Sequence, residues 1–186
     1  INVTTTLLIC EKPDAARRVA ESLCDGGKLV KHEKRGFSFY EIIKPQDRIL
    51  VCAAIGHLYS VDRKEGSTRE DFPIWDLTWK PRYLLEKNQE RLRFWIEQIR
   101  QVSREAERFV NACDYDIEGS VIGATILKYA CNDADRKAKR MKFSTLTKKE
   151  LQEAYTNLTD ELDFSLVNSG MCRHEVDWIY GVNLSR

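Results

Sequence analysis

Short unbroken apolar runs alternate along the chain with segments whose apolar residues recur every three or four positions. The first run, Thr6-Leu7-Leu8-Ile9-Cys10, has the character of a strand buried on both faces. It stops at Glu11-Lys12-Pro13. Pro13 suits the first turn of a helix, where its missing N–H costs nothing, and Ala16, Val19, Ala20 and Leu23 follow at i, i+3, i+4 and i+7. Gly26-Gly27 closes that helix. The aromatic and β-branched stretch 36–43 predicts a strand, 45–47 a turn, and 49–54 a second buried strand ending in Gly56-His57-Leu58. Polar residues with Gly66, Pro73 and Pro81 predict a long irregular excursion over 60–83, packed through Phe72, Trp75 and Trp79. Leu92, Trp95, Ile96 and Ile99 predict a helix over 87–103, followed by a strand over 108–113 and a helix over 119–129. A polar loop, 132–139, leads to a short strand, 140–143. Thr147-Lys148-Lys149-Glu150 has the form of a capping box, ahead of a helix carrying Leu151, Ala154, Tyr155 and Leu158. A last helix, 164–180, presents Val167, Met171, Val176 and Ile179.

Strands alternating with helices define an α/β class with a mainly parallel sheet. The 186 residues suffice for one well-buried domain and a short appendage. The composition, 42% hydrophobic and 32% charged, is that of a soluble globular protein. No run of about 18 apolar residues is present to span a membrane. A net charge of +1 makes no global argument about nucleic acid, so any such affinity rests on local patches. Six cysteines without a Cys-x-x-Cys pair speak against a zinc ribbon or a thioredoxin-like site and for free thiols in a reducing compartment.

The chemistry concentrates where strands end. In sheets of this class ligands bind outside the carboxyl ends of strands. One tip offers Glu11 and Lys12; another offers Asp114, Asp116 and Glu118 at every second position, followed by Gly119. Carboxylates this close repel one another, and a divalent cation is the simplest way to keep them ionised. Hard oxygen donors suit Mg²⁺, usually in phosphoryl chemistry. A loose Ca²⁺ site or an acidic surface loop is the alternative from spacing alone.

The order of the pieces carries more. Leu8-Ile9-Cys10-Glu11-Lys12-Pro13, then Gly56-His57-Leu58, then Asp114-Tyr115-Asp116-Ile117-Glu118-Gly119, resembles the Toprim domain of type IA DNA topoisomerases. Residues 140–147 resemble the Arg-x-x-Phe…Thr segment that follows it, and residues 173–186 the entry to the next domain. The Asp-Tyr-Asp-Ile-Glu-Gly-Ser form is closer to archaeal members; bacterial ones tend to carry Arg where Ile117 stands and Glu where Ser120 stands. The resemblance implies a Toprim (Rossmann-like) sheet flanked by helices over 1–146, with 147–186 as the helical start of the following domain.

It also implies an activity: Mg²⁺-dependent cleavage and religation of one DNA strand through a 5′-phosphotyrosine link, with strand passage that relaxes supercoils. Glu11 matches the catalytic glutamate, a proton shuttle at the departing 3′ oxygen. Lys12 matches a lysine that stabilises charge on the phosphate, and Arg173 an arginine near the reacting phosphate. Glu11, Asp114, Asp116 and Glu118 match the metal acids. His57, Arg140, Lys142 and Arg186 are the expected DNA contacts. A solvated face remains open for Lys12 and Lys142, an ion pair with Glu175 or Asp177 for Arg173, and a structural role for His57. None of the seven tyrosines lies in the nucleophile's context, so the tyrosine is expected from the remaining domains of the same polypeptide. The expected partner is a single-stranded segment of duplex DNA, with no membrane, in the cytoplasm at the nucleoid. Other readings are a Toprim primase or nuclease, against which Gly-His-Leu and the 177–186 segment speak, and a non-catalytic Toprim binding module, against which the intact Glu11, Asp114 and Asp116 speak. A reverse gyrase carries a similar region and remains a possible parent.

Overall fold

A computed structural model describes residues 2–68 and 71–185 of the chain. Its elements in order are β1 (Thr4–Cys10), α1 (Pro13–Cys24), β2 (Lys28–Lys34), β3 (Phe37–Ile43), β4 (Asp47–Ala53), β5 (Tyr59–Arg63), β6 (Leu77–Pro81), α2 (Glu90–Ser103), β7 (Arg108–Asn111), α3 (Ile117–Tyr129), β8 (Lys139–Arg140), α4 (Lys148–Thr156) and α5 (Phe164–Asn183). Among the described residues six strands form one sheet in the order β2-β3-β4-β1-β7-β8. β4, β1, β7 and β8 run parallel, while β2 and β3 are antiparallel additions on one edge.

The uninterrupted apolar run of β1 has a direct cause: both faces are covered. Leu7 and Ile9 pack with Leu50, Cys52 and Phe109 under α2, α3 and α5. Leu8 and Cys10 pack with Val51 and Val110 under α1 and α4. Alternate side chains of a strand point to opposite faces, so each of these residues belongs to one layer only. All six cysteines are free thiols. Among the described residues no helix is long and apolar enough to cross a membrane.

Four expectations change. β2 lies where no strand is foreseen. Its sequence, Lys-Leu-Val-Lys-His-Glu-Lys, is charged on both faces because it is an edge strand, paired only with β3, and charge on an edge deters further pairing. The excursion 60–83 contains a second, two-stranded sheet of β5 and β6, in register from Tyr59 with Pro81 to Arg63 with Leu77. Of its aromatics Trp79 is half-buried, but Trp75 stands 66% exposed and packs little. The strand expected over 140–143 is two residues long; Met141 and Phe143 are buried outside it. The capping box is half formed. Thr147 Oγ1 accepts the Glu150 N–H, but the Glu150 carboxylate accepts from the Ser144 N–H and the Thr145 hydroxyl in the preceding loop.

The two helices beyond 146 pack on the core. Gln152 Nε2 of α4 donates to the Ser22 carbonyl of α1 at 2.9 Å. α5 crosses α3 at Gly170, where an added Cβ would lie 2.3 Å from Val121 Cγ2 and 2.8 Å from Ile117 Cγ2. Only a residue without a side chain lets the helices come so close. That contact sets where the rest of α5 falls relative to the first turn of α3.

Candidate functional site

β1 and β7 are parallel neighbours with Ile9 opposite Asn111, so the chain leaving each strand delivers its acids to one edge of the sheet. The Ala112 N–H donates to the Ile9 carbonyl at 2.8 Å and continues the pairing past the strand end. The buried Asn111 side chain then shapes the turn: Oδ1 accepts the Cys113 N–H at 3.0 Å and Nδ2 donates to the Gly119 carbonyl at 3.3 Å. Asp116 caps α3, its Oδ1 accepting the Gly119 N–H at 2.7 Å. The glycine after the acids is required by contact, since a Cβ on Gly119 would lie 2.0 Å from the Asp114 carbonyl oxygen. Ser120, buried, donates its hydroxyl to the Asp116 carbonyl at 2.7 Å.

Arg140 corrects an expectation. Expected as a phosphate contact, it is 1% exposed and lies beneath the acidic turn. Its guanidinium donates to the carbonyls of Asn111 at 3.0 Å, Cys113 at 2.7 Å and Asp114 at 2.7 Å. A side chain so placed cannot reach a backbone phosphate; it holds the turn that carries Asp114 and Asp116. Lys142, two residues on, is exposed, with Nζ 5.0 Å from the centre of the Tyr115 ring. The Tyr115 hydroxyl donates to Asp163 Oδ2 at 3.1 Å. An open cleft of about 550 Å³ runs beside the turn, lined in part by Arg18, Asp114, Asp116, Ser144 and Thr145. Lys12 is exposed at the β1 tip. Arg186 lies outside the described residues.

The electrostatics follow from crowding. Burial, the charge and hydrogen bond of Asp114, and the charge of Asp116 together raise the Glu11 carboxyl from its ordinary 4.5 to about 7, against a smaller opposing pull from Lys12. A carboxyl that binds its proton more tightly when folded favours the fold at low pH. That contribution is complete below about pH 4.5 and is lost as pH rises through about 7. Without divalent cations, Glu11→Gln is therefore expected to gain stability relative to wild type between pH 4 and pH 8. Urea denaturation at both pH values checks this, and a difference that does not change with pH would contradict it.

Glu118 stands apart from the two aspartates. It was expected to complete the acidic metal set, but its carboxylate is turned to two histidines. His57 Nε2 lies 2.6 Å and His174 Nε2 3.1 Å from Glu118 Oε2. Arg173 Nη2 lies 3.9 Å from Oε1, so its ion pair is with Glu118 and not with Glu175 or Asp177. Burial pushes the Glu118 carboxyl up, but the two imidazole contacts outweigh it and hold the group below the usual carboxylate range. Burial pulls the His57 imidazole below its ordinary value despite Glu118. The His57 ring is engaged at Nε2 by Glu118, and its Nδ1 is buried. His57, Glu118 and His174 form a group with metal-ligand spacing. His174 carries no sequence-based assignment. The available signal is a histidine at i+7 on the stripe Val167, Gly170, Met171 that faces α3.

A mainly parallel sheet whose neighbouring strand tips bring a glutamate against an Asp-x-Asp turn defines the Toprim class. Residues 6–146 match the Toprim domain family, and the chain belongs to it. The chain is 43% identical over 180 residues to a protein named DNA topoisomerase 1 from Pyrococcus horikoshii, covering 97% of this chain and 26% of that protein. It is 41% identical over 184 residues to DNA topoisomerase 1 of Methanocaldococcus jannaschii, covering 99% and 23%. It is 27% identical over 192 residues to DNA topoisomerase 3 of Bacillus licheniformis, covering 99% and 24%. The chain thus spans about a quarter of the length of these relatives.

Proposed function

We propose that this chain is the Toprim region of a type IA DNA topoisomerase, which cleaves and religates one DNA strand and passes another through the break. The observation that carries the reading is the pairing of Glu11 with Asp114 across two adjacent strand tips, with Glu11 holding its proton near neutrality. The nucleophilic tyrosine comes from another domain of the same polypeptide.

In cleavage the bond from the tyrosine oxygen to phosphorus forms as the bond from phosphorus to the 3′ oxygen breaks. The tyrosine gives up its phenolic proton to water as it attacks, Glu11 donates its proton to the departing 3′ oxygen, and both transfers run in reverse on religation. Lys12, Lys142 and Arg173 are exposed cations that hold the strand's phosphates; Lys12, beside Glu11, offsets charge on the reacting phosphate. Asp114 and Asp116 offer carboxylate oxygens that fit a hard divalent cation, Mg²⁺, which leaves Glu11 beside them free to carry its proton. When bound there, Mg²⁺ would neutralise the acids and supply Lewis-acid stabilisation of phosphate charge. We also place residues 147–186 at the start of the following domain, and the enzyme on DNA in the cytoplasm, at the nucleoid.

The purified 186-residue chain tests this reading. Mg²⁺ should shift the amide NMR signals of Asp114 and Asp116 first. Single-stranded DNA binding should weaken steeply with salt, because phosphate contacts release counterions. Supercoiled plasmid should not be relaxed. Relaxation by this chain alone, or Mg²⁺ shifts centred elsewhere, would overturn the assignment.

A further inference from the structure

We infer that His57, Glu118 and His174 form a second metal site, selective for a zinc-type divalent cation and separate from the carboxylate pair Asp114 and Asp116. The three ligands come from distant places: the loop between β4 and β5, the first turn of α3 and the middle of α5. Their donor atoms all lie within 4.8 Å of one another. Both Nε2 atoms address the same carboxylate oxygen, at 2.6 and 3.1 Å. Ligand atoms about 2.0–2.2 Å from one zinc ion are separated by roughly 3 Å, so only small rotations would admit the ion.

The donor set decides the class of ion. Two imidazoles and one carboxylate suit Zn²⁺ and its neighbours in the first transition row, whereas Mg²⁺ prefers oxygen throughout. Three protein ligands leave a fourth position for water. The surroundings hold the ligands in place. Arg82 Nη1 donates to the His57 carbonyl at 3.0 Å and fixes that loop. Trp79 packs edge-on to the His174 ring at 5.8 Å, and its Nε1 donates to Glu175 Oε1 at 3.1 Å on the same helix. These contacts restrain the loop and the helix on which the ligands stand. Arg173 is the one opposing charge close to the carboxylate among the described residues. Its side chain is largely exposed and 3.9 Å away, so it can swing aside. A bound ion would tie α5 to the first turn of α3 and to the Gly-His-Leu loop.

Co²⁺ tests the site because its visible absorption reports the ligand set. Titration of the 186-residue chain with Co²⁺ should give saturable one-to-one binding that Zn²⁺ displaces and millimolar Mg²⁺ does not. His174→Gln should weaken it more than ~100-fold, since loss even of outer-shell partners costs about 10–100-fold. His174 is half-exposed, so the variant should fold, and the amide spectrum checks that it does. Cys172→Ser and Asp114→Asn should leave Co²⁺ binding intact, which separates this site from a stray thiol and from the proposed Mg²⁺ ligands. Three results would each overturn the inference: no saturable binding, equal binding by His174→Gln, or displacement by Mg²⁺ with loss in Asp114→Asn.

Discussion

Arg140→Ala is expected to destabilise the chain by ~2–4 kcal/mol, taking about 1–3 kcal/mol for the Cys113 carbonyl left without a donor and about 0.5 kcal/mol for each second bond lost at Asn111 and Asp114, whose carbonyls keep the N–H groups of Met141 and Asp116. The carbonyls are those of Asn111, Cys113 and Asp114, and all three receive the guanidinium at 3.0 Å or less. The loss is partly offset, because burial of the guanidinium is itself unfavourable and pulls its pKa below the ordinary value. Water can reach the Asp114 end of the turn more readily than the Asn111 end, which is buried. Arg140→Met separates volume from hydrogen bonding: it fills much of the space and supplies no donor, so it should recover only part of the loss. Arg140→Lys should recover little more, since a single ammonium cannot serve three carbonyls arranged for a planar fork. A domain with about 5–15 kcal/mol of stability survives the first change narrowly. Its Mg²⁺-induced amide shifts at Asp114 and Asp116 should vanish with the turn. Urea denaturation and the Mg²⁺ titration check both effects. A loss under ~1 kcal/mol with the shifts intact would show that the turn stands without Arg140.

Glu11→Gln in the full-length parent should lower strand cleavage and religation by ~10²–10⁴-fold, the range that a positioned general acid contributes. The substitution keeps the shape of the side chain and removes only the transferable proton. DNA binding should therefore stay near wild type while turnover collapses. Glu11→Asp retains a proton but withdraws it by one methylene, so it should fall between the two. The motive is the neighbourhood: burial and Asp114 raise this carboxyl to about 7, and a group poised there can both give and accept a proton at neutral pH. Oligonucleotide cleavage followed over pH gives the measurement. Cleavage by Glu11→Gln within about tenfold of wild type would remove Glu11 from the proton-transfer role.

The elements that periodicity makes legible are those whose side chains answer to local geometry. The buried runs of β1, β4 and β7, the i, i+3, i+4 stripes of α1 and α2, and the acids after the β1 and β7 runs can all be read along the chain. β2 could not be read, because an edge strand with charge on both faces has no apolar alternation to show. β5 and β6 were hidden between glycine and proline, where the pairing partner lies 14 to 22 residues away.

The site divides in the same way. Sequence order alone determined that Glu11 and Asp114 would share a sheet edge, because parallel strands in one sheet point their carboxyl ends the same way. It also determined that an acid pair would sit at a helix start, since Asp116 caps the helix that follows it. Only tertiary structure decided what each group does there. Arg140 and Lys142 stand two positions apart and would share a face of a regular strand, but β8 ends at Arg140 and the chain beyond it leaves Lys142 in solvent while Arg140 lies under the turn, so burial separates two cations that look equivalent in sequence. Glu118 shares a motif with Asp114 and Asp116, but it stands one helical step inside α3. The close crossing of α5 at Gly170 brings His174 to it, and the loop after β4 brings His57. Those three residues are separated by more than fifty positions along the chain, and packing alone joins them.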